Sequence, residues 1–423
     1  MNFWLLVILL ILFTSYLLEF VVSLLNFRAL NPTLPKEFET TFNEQEYNNS
    51  QKYTRAGISL SLVESSFSTI LTVLFLLYGG FNYIDIWARS FGFGQIATGL
   101  MFIGALGLLS FITHFPFSLY STFVIEERFG FNRTSLKTFI LDIVKGVLLA
   151  IILGAPLLAL IMWFFINTGD YGWLYCWVGV VAFSIVLQFL APVLIMPLFN
   201  KFSPLENGSL RDKILDYAEQ EHFKLQGIFT MDGSKRSSKL NAFFTGFGRF
   251  RKIVFYDTLL QKLTESEIVA VLAHEMGHFK LGHIVKMLFA SFIQTGIMLY
   301  LLSIFLENRE LSDAFSMTET SIYSSLVFFG FLYSPINLVV SILFNAFSRK
   351  NEFEADNYAA RTTGSPDRLI TSLKKLSQAN LSNLTPHPLM VFVHYSHPPV
   401  LARIEKLRQF GQNLGLIENV HKT

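Results

Sequence analysis

The sequence predicts a mostly helical, polytopic membrane protein, with seven transmembrane helices and a small α+β domain on one face of the bilayer. Three observations carry this. The 423 residues are 52% hydrophobic and only 15% charged, whereas soluble domains carry about 25% charged residues. Seven runs nearly free of charge lie at about 3–25, 59–80, 95–118, 140–167, 173–200, 284–306 and 322–346. Each reaches the roughly 20 residues that a helix needs to cross a ~30 Å hydrocarbon core. Two polar blocks, 201–283 and 347–423, are large enough to fold but small for separate cores, and the two crossings between them put them on the same face.

In chain order, residues 1–200 hold the first five helices and their loops. The first run lacks a basic leader and a small-x-small cleavage site, and it is long for a signal peptide, so it reads as a retained anchor. Loops 26–58 and 119–139 carry seven basic residues, against two (Arg89 and Arg309) in 81–94, 168–172 and 307–321. The positive-inside bias then puts the basic loops and both polar blocks in the cytoplasm. The net charge of +2 reflects that orientation and gives no reason to expect nucleic acid. Cys176 is the single cysteine, which excludes intrachain disulfides and thiolate metal clusters.

Within 201–283, KIVFYDTLL (252–260) is apolar and rich in β-branched and aromatic residues, and reads as a strand. NAFFTGFG (241–248) reads as an edge strand ended by glycines. Thr264 followed by Glu267 matches a capping box, and the helix it starts runs through EIVAVLAHEMGH. Residues 284–346 supply helices six and seven. Block 347–423 is expected to close one domain with 201–283.

HEMGH (274–278) falls in the body of that helix. Residues four apart project from nearly the same face, so His274 and His278 can offer two imidazole nitrogens to one ion. Glu275, beside that face, can take a proton from a metal-activated water, the logic of H-E-x-x-H zinc hydrolases. A catalytic zinc needs a third protein ligand. His283 lies five residues after His278, one short of the metzincin spacing, and reads as a helix-end or interfacial residue. SRKNEFEAD (348–356) follows the last span on the same face. Glu352 and Asp356 are i and i+4, so Glu352 can ligate while Asp356 holds a ligand histidine through its free N–H. Glu354 would point elsewhere.

HEMGH, SRKNEFEAD and YSHPPVLAR (395–403) together resemble the membrane metallopeptidases of peptidase family M48, above all its Ste24-type CAAX prenyl protease branch. EERFGFNRTSLKTFILDIVKG (126–146) and DGSKRSSKLNAFFTGFG (232–248) extend the similarity over nearly the whole chain. The resemblance implies seven helices enclosing a hydrophilic chamber and one Zn²⁺ per chain held by His274, His278 and Glu352. It implies Glu275 as general base, His397 and Arg403 facing the transition state, and Asn241 holding substrate backbone. It also implies a C-terminal CAAX-type peptide, prenylated on cysteine, as substrate. The terminal ENVHKT lacks a dilysine-like retrieval signal; the expected membrane is the inner membrane in a prokaryote and the endoplasmic reticulum in a eukaryote.

Glu19, Glu64, His114, Asp142 and Lys145 lie in or at the ends of the apolar runs. An ionisable group facing lipid costs about 2.5 kcal/mol or more, so these are expected to face protein or water. Glu64 suits a chamber wall, and Asp142 with Lys145 suits either that wall or mutual neutralisation. Two other functions compete with a CAAX endopeptidase. One is a quality-control protease without prenyl specificity; the other is a transporter or channel with a structural zinc, for which Glu275 would be superfluous.

Overall fold

The computed structural model describes residues 2–246 and 252–416. Seven helices are long and apolar enough to span a membrane: Phe3–Arg28, Glu44–Leu77, Gln95–Glu126, Leu136–Asn167, Gly169–Phe199, His283–Phe305 and Ile322–Thr363. Several overrun the apolar runs that announce them. The second starts 15 residues before its run, at a capping box formed by Asn43 and Glu46. Once nucleated and capped, a helix adds one hydrogen bond per residue whether or not lipid surrounds it.

Each span lies against the next in sequence, and the seventh returns to the first, which closes a ring. On the first span Phe3, Leu6, Leu10, Phe13 and Leu17 remain exposed. Their three- and four-residue spacing makes one stripe, facing lipid. Inside, Ser61, Glu64, His114, Ser118 and Thr122 line a 620 Å³ cavity. His114 Nδ1 is 2.8 Å from Glu64 Oε1, so the pair meets across the second and third spans and away from lipid. Asp142 is held mainly by Arg236, whose Nε and Nη2 donate to it at 2.7 and 2.9 Å. Lys145 is 3.8 Å away and donates to Leu198 O at 2.8 Å. Glu19 meets His394 at 3.1 Å.

The polar domain contains a four-stranded sheet in the order β1-β2-β4-β3, formed by β1 (Phe202–Pro204), β2 (Gly227–Met231), β3 (Ala242–Thr245) and β4 (Lys252–Tyr256). β1 is antiparallel to β2, β2 parallel to β4, and β3 antiparallel to β4. The KIVFYDTLL stretch divides: the strand ends at Tyr256 and a short helix, Asp257–Lys262, begins. β3 stands at the edge as expected, and the chain leaves it through Gly246 at φ +90°; Gly248 lies outside the described residues. Both polar blocks share one core, which joins Ile253, Phe255, Leu272 and Met276 to Ala359, Leu369 and Leu407. Phe38 and Phe42 from the loop between the first two spans, and Tyr47 from the first turn of the second-span helix, also enter it.

Candidate metal centre

The helix Glu265–Lys280 begins with the expected capping box, in which Glu267 Oε2 accepts from Thr264 N at 2.7 Å. One face of this helix is fully buried through Leu272, Ala273 and Met276. Gly277 lets it approach the seventh-span helix: a Cβ at this position would stand 3.1 Å from Ala355 Cα and 3.2 Å from Ala355 O. The seventh-span helix itself does not stop at the membrane. It continues unbroken for 42 residues, so SRKNEFEAD is its last part and Glu352 sits on a rigid extension of a span.

At this crossing His274, His278 and Glu352 converge, with one donor atom from each lying within 4.8 Å of the others. His274 Nε2 and His278 Nε2 are 3.2 Å apart, and His278 Nε2 is 3.1 Å from Glu352 Oε1. His274 Nε2 is 3.5 Å from Glu352 Oε2. Donors held 2.0–2.1 Å from a tetrahedral ion stand about 3.3 Å apart, so the spacing is that of a metal site. Glu352 is 3% exposed. Its Oε2 lies 3.2 Å from Arg403 Nη1 but in poor alignment, and makes no hydrogen bond. Two imidazole nitrogens and a buried carboxylate oxygen without a donor fit a divalent cation.

Each histidine is also held from behind. His274 Nδ1 lies 2.9 Å from Asp356 Oδ1. His278 Nδ1 lies 3.1 Å from His283 Nδ1, and His283 Nε2 lies 3.1 Å from Glu354 Oε2. His283 opens the sixth-span helix, in keeping with a helix-end or interfacial residue, but it is also 2% exposed and contacts a ligand ring, which sequence spacing did not show. Glu354 points toward the site through it. The reason is Gly282, whose φ of +70° folds the chain back on the helix it has just left. Helical phase no longer predicts direction after such a turn; a glycine after the HEMGH helix was the available signal.

Glu275 is half-buried in a 330 Å³ groove that Asn241, Phe243, His274, Glu352 and His397 also line. Burial raises its carboxyl above the ordinary value, and the neighbouring imidazoles pull the other way. His397 is exposed to the groove, with Nε2 3.3 Å from Glu352 Oε1 and Nδ1 2.9 Å from Ser396 Oγ. Arg403 lies deeper. Its Nε and Nη2 donate to Asp356 at 2.8 and 2.6 Å. Burial works against its charge, but Asp356 and Glu352 outweigh that, and the guanidinium is held more firmly protonated than usual. Seven of the eight expected residues line this groove, Asn241 from the position just before the edge strand, and the eighth, Asp356, lies behind His274.

Two family models match consecutive parts of the chain. "CAAX prenyl protease N-terminal, five membrane helices" covers residues 23–201, and "Peptidase family M48" covers residues 204–410. The chain belongs to peptidase family M48. This M48 peptidase is 35% identical to a CAAX prenyl protease 1 homolog of rice over 93% of its own length and 94% of the relative's. It is 36% identical to the Arabidopsis thaliana homolog, with the same coverage. Its fold matches the crystal structure of S. mikatae Ste24p with a TM-score of 0.91 and 32% identity, covering 96% of this chain and 99% of that one. The M48 peptidase is a multi-pass membrane metalloprotease.

Proposed function

We propose that this chain is a zinc endopeptidase that cuts near the C-terminus of CAAX-type peptides carrying a prenylated cysteine, presented from the cytoplasmic side. The convergence of His274, His278 and Glu352 beside Glu275, under a free β-edge, carries this reading. The names of the relatives supply the substrate class. The excess of basic residues in the loops beside the polar domain supports the orientation.

His274, His278 and Glu352 would hold the zinc. Asp356 and the His283–Glu354 pair hold the two imidazoles in one tautomer and ring orientation. Bound zinc would supply a Lewis acid for the scissile carbonyl and bring water within reach of deprotonation near pH 7. Glu275 takes the proton from the attacking water and returns it to the leaving amine. An Nε2–H on His397, at the open side of the groove, donates to the oxygen that becomes negative, a contact worth most in a water-excluded site. Arg403 acts through Asp356 and Glu352, fixing the carboxylates it touches. Asn241, exposed at the start of β3, offers its carboxamide to the substrate main chain.

Purified protein incubated with matched farnesylated and unmodified CAAX peptides, with and without a chelator, tests the reading. Chelator-sensitive cleavage of the lipidated peptide alone is the expected result. Equal cleavage of both peptides would replace prenyl specificity with a general quality-control role. No cleavage of either would remove the hydrolase.

A further inference from the structure

The edge of β3 ends in a stop. Tyr256 N donates to Asn241 O at 3.1 Å, which extends the β3–β4 register (Ala242↔Phe255 through Thr245↔Lys252) one residue upstream. Further back, Thr258 Oγ1 donates to Lys239 O at 2.8 Å. In an antiparallel ladder the main-chain groups of alternate residues turn to opposite sides. Lys239, Asn241 and Phe243 therefore turn toward β4, and Leu240, Ala242 and Phe244 turn toward the open side.

On that open side Phe244 makes no hydrogen bond among the described residues. The Ala242 N–H meets the Oδ1 of its own neighbour, Asn241, at 2.9 Å. Leu240 differs from both. Its N–H donates to Asn380 Oδ1 at 2.8 Å, and its carbonyl accepts from Asn380 Nδ2 at 3.2 Å. A carboxamide presents an acceptor oxygen and an N–H donor side by side, so it can engage the N–H and C=O of one extended residue together, as a paired strand residue does. Asn380 thus takes the place that the next residue of a paired peptide would occupy.

The carboxamide is preset. Asn380 closes the helix Pro366–Ala379, with its N–H on Leu376 O at 3.0 Å. Leu381 follows at φ +48°, and Ser382 N bonds Ser377 O at 2.9 Å. This is a helix-terminating motif that carries leucine where glycine is the usual residue.

We infer that Asn380 is a specificity-determining residue: it ends main-chain pairing at Leu240, confines a substrate strand to Ala242 and Phe244, and so selects peptides that finish at that end of the groove. The inference rests on the endopeptidase reading above, because a blind end suits a substrate cut a few residues from its terminus. A peptide running on past Leu240 would have to leave the edge or displace the carboxamide.

The test compares kcat/KM for two farnesylated peptides, one ending in CAAX and one extended by five residues, using the full-length protein with its metal. Wild type is expected to favour the shorter peptide. Asn380→Ala frees a donor and an acceptor on Leu240, and is expected to narrow that preference by about fivefold or more, chiefly through KM. Asn380→Asp keeps the acceptor but loses the donor; it is expected to fall between the two, and decides the matter by the same ratio if the alanine variant does not fold. A purely structural Asn380 would slow both peptides alike, and an unchanged ratio in an active variant overturns the inference. So does a wild type that cuts both peptides equally well. Failure of the underlying reading looks different: cleavage is then absent in wild type, or unaffected by Glu275→Gln.

Discussion

At the residue scale the metal centre is organised by what each donor does with its other side. His274 and His278 face each other through Nε2, and each has its Nδ1 on a second group, Asp356 or His283. A His283→Asn substitution should weaken metal binding about 10- to 100-fold, measured by competition with a chromophoric chelator. Glu354→Gln should cost less, because its carbonyl oxygen still accepts from His283. Chelator competition unchanged in both variants would reduce His283 to packing. Glu275→Gln should leave one metal per chain by elemental analysis while turnover falls by about 10²–10⁴. The two ligand histidines were legible because four residues make about one helical turn. His283 was hidden behind the reversal at Gly282, and Asn380 behind a contact spanning 140 residues of sequence.

At the element scale, the crossing of the HEMGH helix with the seventh-span helix sets the geometry. Gly277→Ala places a methyl against the main chain of Ala355, which cannot swing aside as a side chain would. The helices must separate, at about 1–3 kcal/mol, and metal affinity should fall together with the thermal midpoint. Gly330→Ala, on the same seventh-span helix with nothing within 4 Å, is the control and should leave both nearly unchanged. The start of the HEMGH helix carries a pH dependence. Glu267 is 3% exposed. Burial opposes its charge, but Lys375 at 2.8 Å and the Thr264 donors outweigh it and hold its pKa below the usual carboxylate value. A depressed folded-state pKa gives stability that is full above the unfolded value of about 4.3 and is lost as pH falls through the folded one. Thermal midpoints recorded from pH 6 down to pH 3 should therefore fall more steeply in wild type than in Glu267→Gln. Parallel curves would mean that the Lys375 pair contributes nothing.

At the scale of the whole molecule, the three donors come from segments separated by two membrane spans. A bound ion would tie the polar domain to the rod of the seventh helix. A ligand that binds only the folded state stabilises it by about 2.7 kcal/mol at a hundredfold excess over its Kd. Chelation should lower the thermal midpoint of wild type and have little effect on Glu352→Gln, as read by differential scanning fluorimetry in detergent. An equal drop in both proteins would place the chelated ion elsewhere. The closed ring of spans explains the intramembrane charges in the same terms. Glu64 and His114 meet across neighbouring helices at a polar cavity, and Asp142 reaches Arg236 of the polar domain. Of the two cations beside Asp142, Lys145, three residues away, was visible in the sequence and lies 3.8 Å off; the closer Arg236 was not visible there.

By itself the sequence determined the seven spans, the two polar blocks, the capping box and the HEMGH face. All of these depend on local periodicity: twenty apolar residues for a bilayer, 3.6 residues for a turn, three from cap to partner. Tertiary structure alone decided that a loop near the N-terminus completes the polar core, that Arg403 sits behind the carboxylates, that His283 touches His278, and that Asn380 bonds the main chain of Leu240. Those contacts join residues whose separation along the chain carries no period, or whose direction is reset by a residue at positive φ. They exist only once the helices have crossed and the core has closed.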